Sequence, residues 1–127
     1  MENTRNAITW FELPSVDFKR AVDFYDKILG TELKVEKFGA DATEMAVFPA
    51  GADGTAGCVI HDPRYRPHAD GVVVYLNCMP SIDSVLDRVE QAGGSVLTGK
   101  TALPPGMGFY AHIGDSEGNR VGLHALG

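Results

Sequence analysis

Apolar positions in this chain fall into short runs broken by glycine and proline, with two longer stretches at helical spacing. Strand formers fill 8–13 and stop at Pro14. Ala21, Phe24, Tyr25, Ile28 and Leu29 then recur at steps of three and four, which predicts a helix over 17–29 ended by Gly30. Ser15 or Asp17 supplies its cap, accepting unpaired amide protons of the first turn. Three short strands follow at 32–36, 44–48 and 57–61, with turns at Gly39, Gly51 and Gly54. Residues 62–71 hold two prolines and many polar groups, and read as a linker. A strand at 72–77 comes next. Ile82, Val85, Leu86, Val89 and Ala92 mark a second helix over 82–92, capped near Ser81. Strands at 95–97, 109–113 and 120–126 complete the pattern. Pro104-Pro105-Gly106 breaks the middle, and 116–119 form the last hairpin turn.

The two halves match in outline. An offset of 64 places Ile8 on Val72, Ala21 on Val85, Val22 on Leu86, Tyr25 on Val89 and Gly30 on Gly94. Two consecutive strand-helix-strand-strand-strand units sharing one core is the economical reading. The expected organisation is one α+β domain over 1–127, with module one at 7–61, a linker at 62–71 and module two at 72–126.

Composition narrows the function classes. The 127 residues carry 17 acidic and 11 basic side chains, a net charge of −6. Nucleic acid and anionic membrane surfaces need a positive field, so neither is an expected partner. No run of 18 apolar residues exists to span a bilayer. Met1 to Thr9 lacks the apolar core of a signal peptide, so the expected compartment is the cytoplasm. Cys58 and Cys78 lie too far apart for a CxxC motif, and no structural zinc or disulfide framework is suggested. No serine sits in a nucleophile elbow, and no phosphate-binding loop follows a strand.

Several motifs carry a family resemblance. They are Asp17 with Arg20-Ala21-Val22-Asp23-Phe24-Tyr25 and Leu29-Gly30, then Ala92-Gly93-Gly94, and the terminal run Asp115-Ser116-Glu117-Gly118-Asn119-Arg120. Together they resemble the vicinal oxygen chelate superfamily of glyoxalase I, bleomycin resistance proteins and extradiol dioxygenases. The segments around Trp10, Val73 to Asn77 and Arg120 to His124 look closest to its small glyoxalase-like members. The resemblance implies two βαβββ modules with curved mixed sheets around a small-molecule cleft, in a homodimer. Metal-using members place one ligand on the first and last strand of each module. Those positions fall here on Trp10, His61, Val73 and Gly122. One imidazole cannot hold a divalent ion, which needs three or four converging donors. No metal and no other cofactor is therefore expected. A metal-dependent lyase or dioxygenase would need a displaced site at Glu12, His61 and His124.

Strand alternation sorts the cleft residues independently. Phe11 and Leu13 suit a helix, leaving Trp10 and Glu12 on the concave face. The same sorting puts Val59 and His61 inward, with Cys58 and Ile60 under the helix. It places Val73, Tyr75 and Asn77 inward, with Val74, Leu76 and Cys78 behind. Gly122 and His124 face inward, ahead of Val121 and Leu123. The strand at 109–113 has an aromatic or histidine on both faces and takes no orientation. Gly122 leaves room in the cleft, Arg64 is placed to clamp an anionic group, and Gly106-Met107-Gly108 is a candidate lid. Aromatic surface with a few polar groups suits a small-molecule ligand. If the chain is an enzyme, Glu12 or His61 is the base of an isomerase, epimerase or lyase. The alternatives are a binder that sequesters its ligand and a structural homodimer with a vestigial cleft.

Overall fold

A computed structural model describes residues 6–41 and 43–127. The first five residues of the Met1 to Thr9 stretch, which lacks a signal peptide's apolar core by sequence, lie outside them. Ten elements follow in order: β1 (Trp10–Pro14), α1 (Phe18–Leu29), β2 (Lys34–Phe38), β3 (Thr43–Val47), β4 (Ala56–Ile60), β5 (Tyr75–Asn77), α2 (Ile82–Val89), β6 (Ser95–Ala102), β7 (Phe109–Gly114) and β8 (Arg120–Ala125). They form two four-stranded mixed sheets, ordered β1-β4-β3-β2 and β5-β8-β7-β6. In each, the first strand runs parallel to the last and the remaining pairs are antiparallel. The architecture is the expected pair of βαβββ modules.

Asp17 rather than Ser15 caps α1, its carboxylate accepting the Arg20 amide. The Ser15 hydroxyl instead donates to the Ile60 carbonyl. Gly30 ends α1 at φ 66°, a conformation that costs glycine no Cβ clash. The apolar stripe Ala21, Phe24, Tyr25 and Ile28 is buried, as are Ile82, Val85 and Val89 of α2. The two helices pack on each other and on the backs of the sheets, against Leu13, Ala46, Val59, Leu76, Ala111, Ile113, Val121 and Leu123. The concave faces are thus left on the outer side of each sheet.

Strands β1 and β2 lie up to two residues later than expected, and three boundaries differ by more. β5 is three residues long, because only Tyr75–Asn77 find partners on β8; Val72 is 88% exposed. β6 runs to Ala102 and stays paired with β7 through register shifts, which a short apolar run at 95–97 does not reveal. Helix α2 stops at Val89, three residues early, because residues 90–94 turn the chain into β6 with Gly93 at φ 106°.

The modules are joined by one buried polar clamp. Glu117, whose side chain is wholly buried, accepts from the Val16 and Asp17 amides at 2.9 and 2.7 Å and from the Arg20 guanidinium at 2.7 and 3.1 Å. Asp115 accepts from the Tyr25 hydroxyl at 2.7 Å and from Asn119, and Asn119 also donates to the Pro14 carbonyl. The hairpin turn of module two therefore caps the start of α1 in module one. Burial alone would raise the Glu117 carboxyl, but Arg20, the two amides and Ser116 hold it down at about 2.

Candidate functional site

Parallel pairing of β1 with β4 sets which residues share a face. Leu13 pairs with Val59, and both enter the core. Glu12 pairs with Cys58 and Trp10 with Ala56, on the opposite face. Cys58 and Ile60, rather than Val59 and His61, therefore lie on the concave side. The expected alternation of β4 is reversed, because the register with Leu13 and not the position of a histidine decides it. His61 lies beyond the strand, where its Nδ1 donates to the Ser15 carbonyl at 2.8 Å. It does not meet Glu12. Burial pushes the Cys58 thiol up to about 12, with the Glu12 charge adding to the effect, so it is no nucleophile.

Trp10 and Glu12 do share the concave face, where the indole Nε1 donates to Glu12 at 3.3 Å. Above Glu12 the linker folds down, so that Glu12, Pro14, Ile60, Arg64, Tyr65, Arg66 and His68 enclose a depression of about 570 Å³. Arg64 lines it, but its guanidinium is held by Asp62 at 2.8 and 3.1 Å. That hydrogen-bonded pair lowers the Asp62 carboxyl to about 2. Arg64 is thus occupied by its neighbour rather than reaching over the cleft.

Module two follows the expected alternation. Leu76 and Cys78 are buried, while Tyr75 and Asn77 face outward with Gly122 and His124, their partners on β8. The structure also orients β7, which alternation alone could not. Ala111 and Ile113 enter the core, and Tyr110 and His112 join the outer face. Gly122 is not open room: the Tyr75 ring lies across it and occupies the space a Cβ would need. The Tyr75 hydroxyl meets His112 Nε2 at 2.7 Å, and His112 Nδ1 meets the Arg120 guanidinium at 3.0 Å. His124 Nε2 donates to the Met107 carbonyl at 2.8 Å. That bond, with Leu103 to Gly108 across the loop, ties the expected lid to the cleft wall.

Two larger cavities flank Tyr75. One, of about 740 Å³, is the seam between β1 and β5, the first strands of the two modules. Trp10, Phe11, Val73, Tyr75, Asn77 and Met79 line it, with Ile8 and Val72 at its rim. The other, of about 700 Å³, lies over module two between Tyr75, Asn77, Met107, Tyr110 and His124. Sequence reasoning thus found Trp10, Val73, Tyr75, Asn77 and His124 at cavities, but assigned Glu12 and Arg64 to the same cleft when they line another. It missed Tyr110, His112 and Arg120, whose side chains converge only through the β7–β8 pairing.

The metal positions implied by the resemblance can now be placed. With β4 correctly oriented, Cys58 replaces His61 in the set, which becomes Trp10, Cys58, Val73 and Gly122. An indole, a buried protonated thiol, an isopropyl group and a glycine under a tyrosine ring do not fit a divalent ion. Nor do Glu12, His61 and His124 assemble a displaced site. Among the described residues, no three His, Cys, Asp or Glu side chains come together to hold one.

No helix among the described residues is long and apolar enough to cross a membrane. No curated protein matches the chain by sequence. Solved structures do match. An antibiotic-binding protein, TnmS3, from Streptomyces sp. CB03234 is 23% identical over 98% of both chains, with a TM-score of 0.65. A glyoxalase/bleomycin resistance protein from the same organism is 25% identical over 91% of this chain and 96% of its own, with a TM-score of 0.66. A glyoxalase I mutant from Zea mays is 20% identical over 92% of this chain but 45% of its own, with a TM-score of 0.63. The sequence model of the Glyoxalase/Bleomycin resistance protein/Dioxygenase superfamily covers residues 7–123, and the chain belongs to that superfamily.

Proposed function

We propose that this protein binds a small, flat organic molecule in the seam between β1 and β5, without a metal ion and without acid–base turnover. One observation carries the reading. The seam presents two half-exposed aromatic rings, Trp10 at 41% and Tyr75 at 50%, yet its lining has no carboxylate or imidazole and one charge, Arg88. Aromatic faces give stacking area, while Asn77 and the strand edges supply hydrogen bonds. Glu12, the best candidate base, lines a different depression. The antibiotic-binding relative adds support by fold alone.

A metabolite and drug-like library screened by thermal shift tests this. Trp10→Ala and Tyr75→Ala are each expected to weaken a hit by roughly 10- to 100-fold, the loss of one stacked ring. Glu12→Gln, which keeps an acceptor for the indole, leaves binding unchanged. Turnover that is lost in Glu12→Gln with binding retained would favour the isomerase or lyase reading instead. A hit that survives all three substitutions would place the ligand elsewhere.

We also propose a homodimer. β1 and β5 each pair on one side only, and Ile8, Val72 and Met79 are exposed at the rim of the seam, where a second copy closes the cavity over Trp10 and Tyr75 without filling it. Unpaired apolar edges of this kind are covered in stable proteins. Sedimentation at micromolar protein is expected to give twice the 13.6 kDa chain mass. A species of 13.6 kDa would reject it.

A further inference from the structure

We propose that the ligand of the seam is a flat organic acid, a small aromatic carboxylate, whose acid group is held by Arg88 of α2 on the helical side of the sheets. The proposal rests on the seam being a ligand site.

The cavity reaches further than the strand margins. Trp10 and Tyr75 wall its outer part, but Leu29 from the end of α1, and Ser84 and Arg88 from α2, also line it. It therefore passes between β1 and β5 into the helix layer, away from both concave faces. Ser84 and Arg88 stand one helical turn apart on the same face of α2. The Ser84 hydroxyl donates back to the Ser81 carbonyl at 3.4 Å, which leaves Arg88 as the donor at this end.

Arg88 is seated against Gly30. Its Nη1 donates to the Lys27 carbonyl at 3.4 Å, at the open end of α1. A Cβ on residue 30 would lie 2.6 Å from that nitrogen, so the glycine that ends α1 also makes room for the guanidinium. The bond is long and uses one of the donors of the fork. The edge formed by Nε and Nη2 is left over. Its parallel N–H groups match the two oxygens of a carboxylate. Arg20 presents the same edge to Glu117, and Arg64 presents it to Asp62. Among the described residues no carboxylate pairs with Arg88, although the chain has 17 acidic side chains against 11 basic ones. A half-buried guanidinium without a counter-charge has given up water for little in return. A ligand carboxylate supplies the missing partner. The net charge of −6 works against anions at long range, so selection for the acid comes from this contact and not from steering.

Phenylacetate and phenylacetamide test this, because they share a ring and a shape and differ in the charged group. Trp10 is the single tryptophan and lines the cavity, so its fluorescence reports binding of either probe. Wild type is expected to bind phenylacetate at least about 10-fold more tightly than the amide. Arg88→Gln is expected to bind both probes equally, with phenylacetamide affinity unchanged, which a loosened fold would not preserve. Arg88→Lys keeps the charge without the fork and is expected to lose about 3-fold of the preference. Arg66→Gln, in the depression beside Glu12, is expected to leave the preference as it is. A preference that persists in Arg88→Gln overturns the assignment while leaving the seam as a site, as does equal binding of both probes by wild type. One that disappears in Arg66→Gln moves the acid to the other depression and overturns it too. If neither probe perturbs Trp10 at millimolar concentration, the seam itself is rejected as a site for such molecules, and the proposal falls with it.

Discussion

Glu117→Ala is expected to lower the stability of the fold by about 1 to 3 kcal/mol, the cost of leaving buried backbone donors without their acceptor; Arg20, half exposed, turns to water. The carboxylate accepts two backbone amides of module one and both arms of the Arg20 fork. Removing it strands two backbone donors, the Val16 and Asp17 amides, just before α1, while the Asp17 cap remains. The same residue predicts acid sensitivity. Its carboxyl is held at about 2 in the folded chain against an ordinary 4.5. A group lowered on folding contributes stability above its unfolded value and loses it as pH falls through the folded one. Wild-type urea midpoints should therefore fall from pH 4.5 toward pH 2. Those of Glu117→Gln should start lower at pH 7 and change less across that window. Equal slopes for the two would mean that the clamp does not hold the modules.

Gly94→Ala is expected to cost about 2 to 3 kcal/mol, although it adds one methyl group. A Cβ there would lie 2.5 Å from the Gly114 carbonyl oxygen and 2.6 Å from Phe24 Cε1. The first belongs to a strand bonded on both sides, and the second to a ring buried between α1 and the sheets, so neither can yield cheaply. Gly99→Ala is the control. Its Cβ meets nothing within 4 Å, and the change should stay within about 0.5 kcal/mol. Thermal unfolding of both variants checks the contrast; a neutral Gly94→Ala would show that α1 does not press this closely on module two.

Much of the fold was legible because its signals are local. The stripes of α1 and α2, their caps at Asp17 and Ser81, and the turn at Gly118 all follow from spacing within one element. The repeat at an offset of 64 then orders the elements into modules. What local pattern could not supply is which neighbour a strand chooses. Every residue of β4 from Gly57 to Ile60 is buried, so alternation carries no sign there, and only the pairing of Leu13 with Val59 assigns the faces. β7 has the same difficulty, with Tyr110 and His112 as plausible inside as out. The motif residues Asp17, Arg20, Tyr25, Asp115 and Glu117 were recognisable, but their joint role as an inter-module clamp links segments some hundred residues apart. Tyr75 was placed correctly on its face. Its position over Gly122 and its bond to His112 depend on three adjacent strands at once, which no single run of sequence encodes.

The central claim is that the seam binds its ligand through aromatic and polar side chains, with no metal. The most direct measurement is a fluorescence titration of Trp10 with a screened aromatic hit, repeated in excess chelator. The account predicts saturable quenching with the same Kd in both. Binding that disappears with chelator and returns with a divalent ion, or a bound ligand that leaves Trp10 unperturbed, would contradict it.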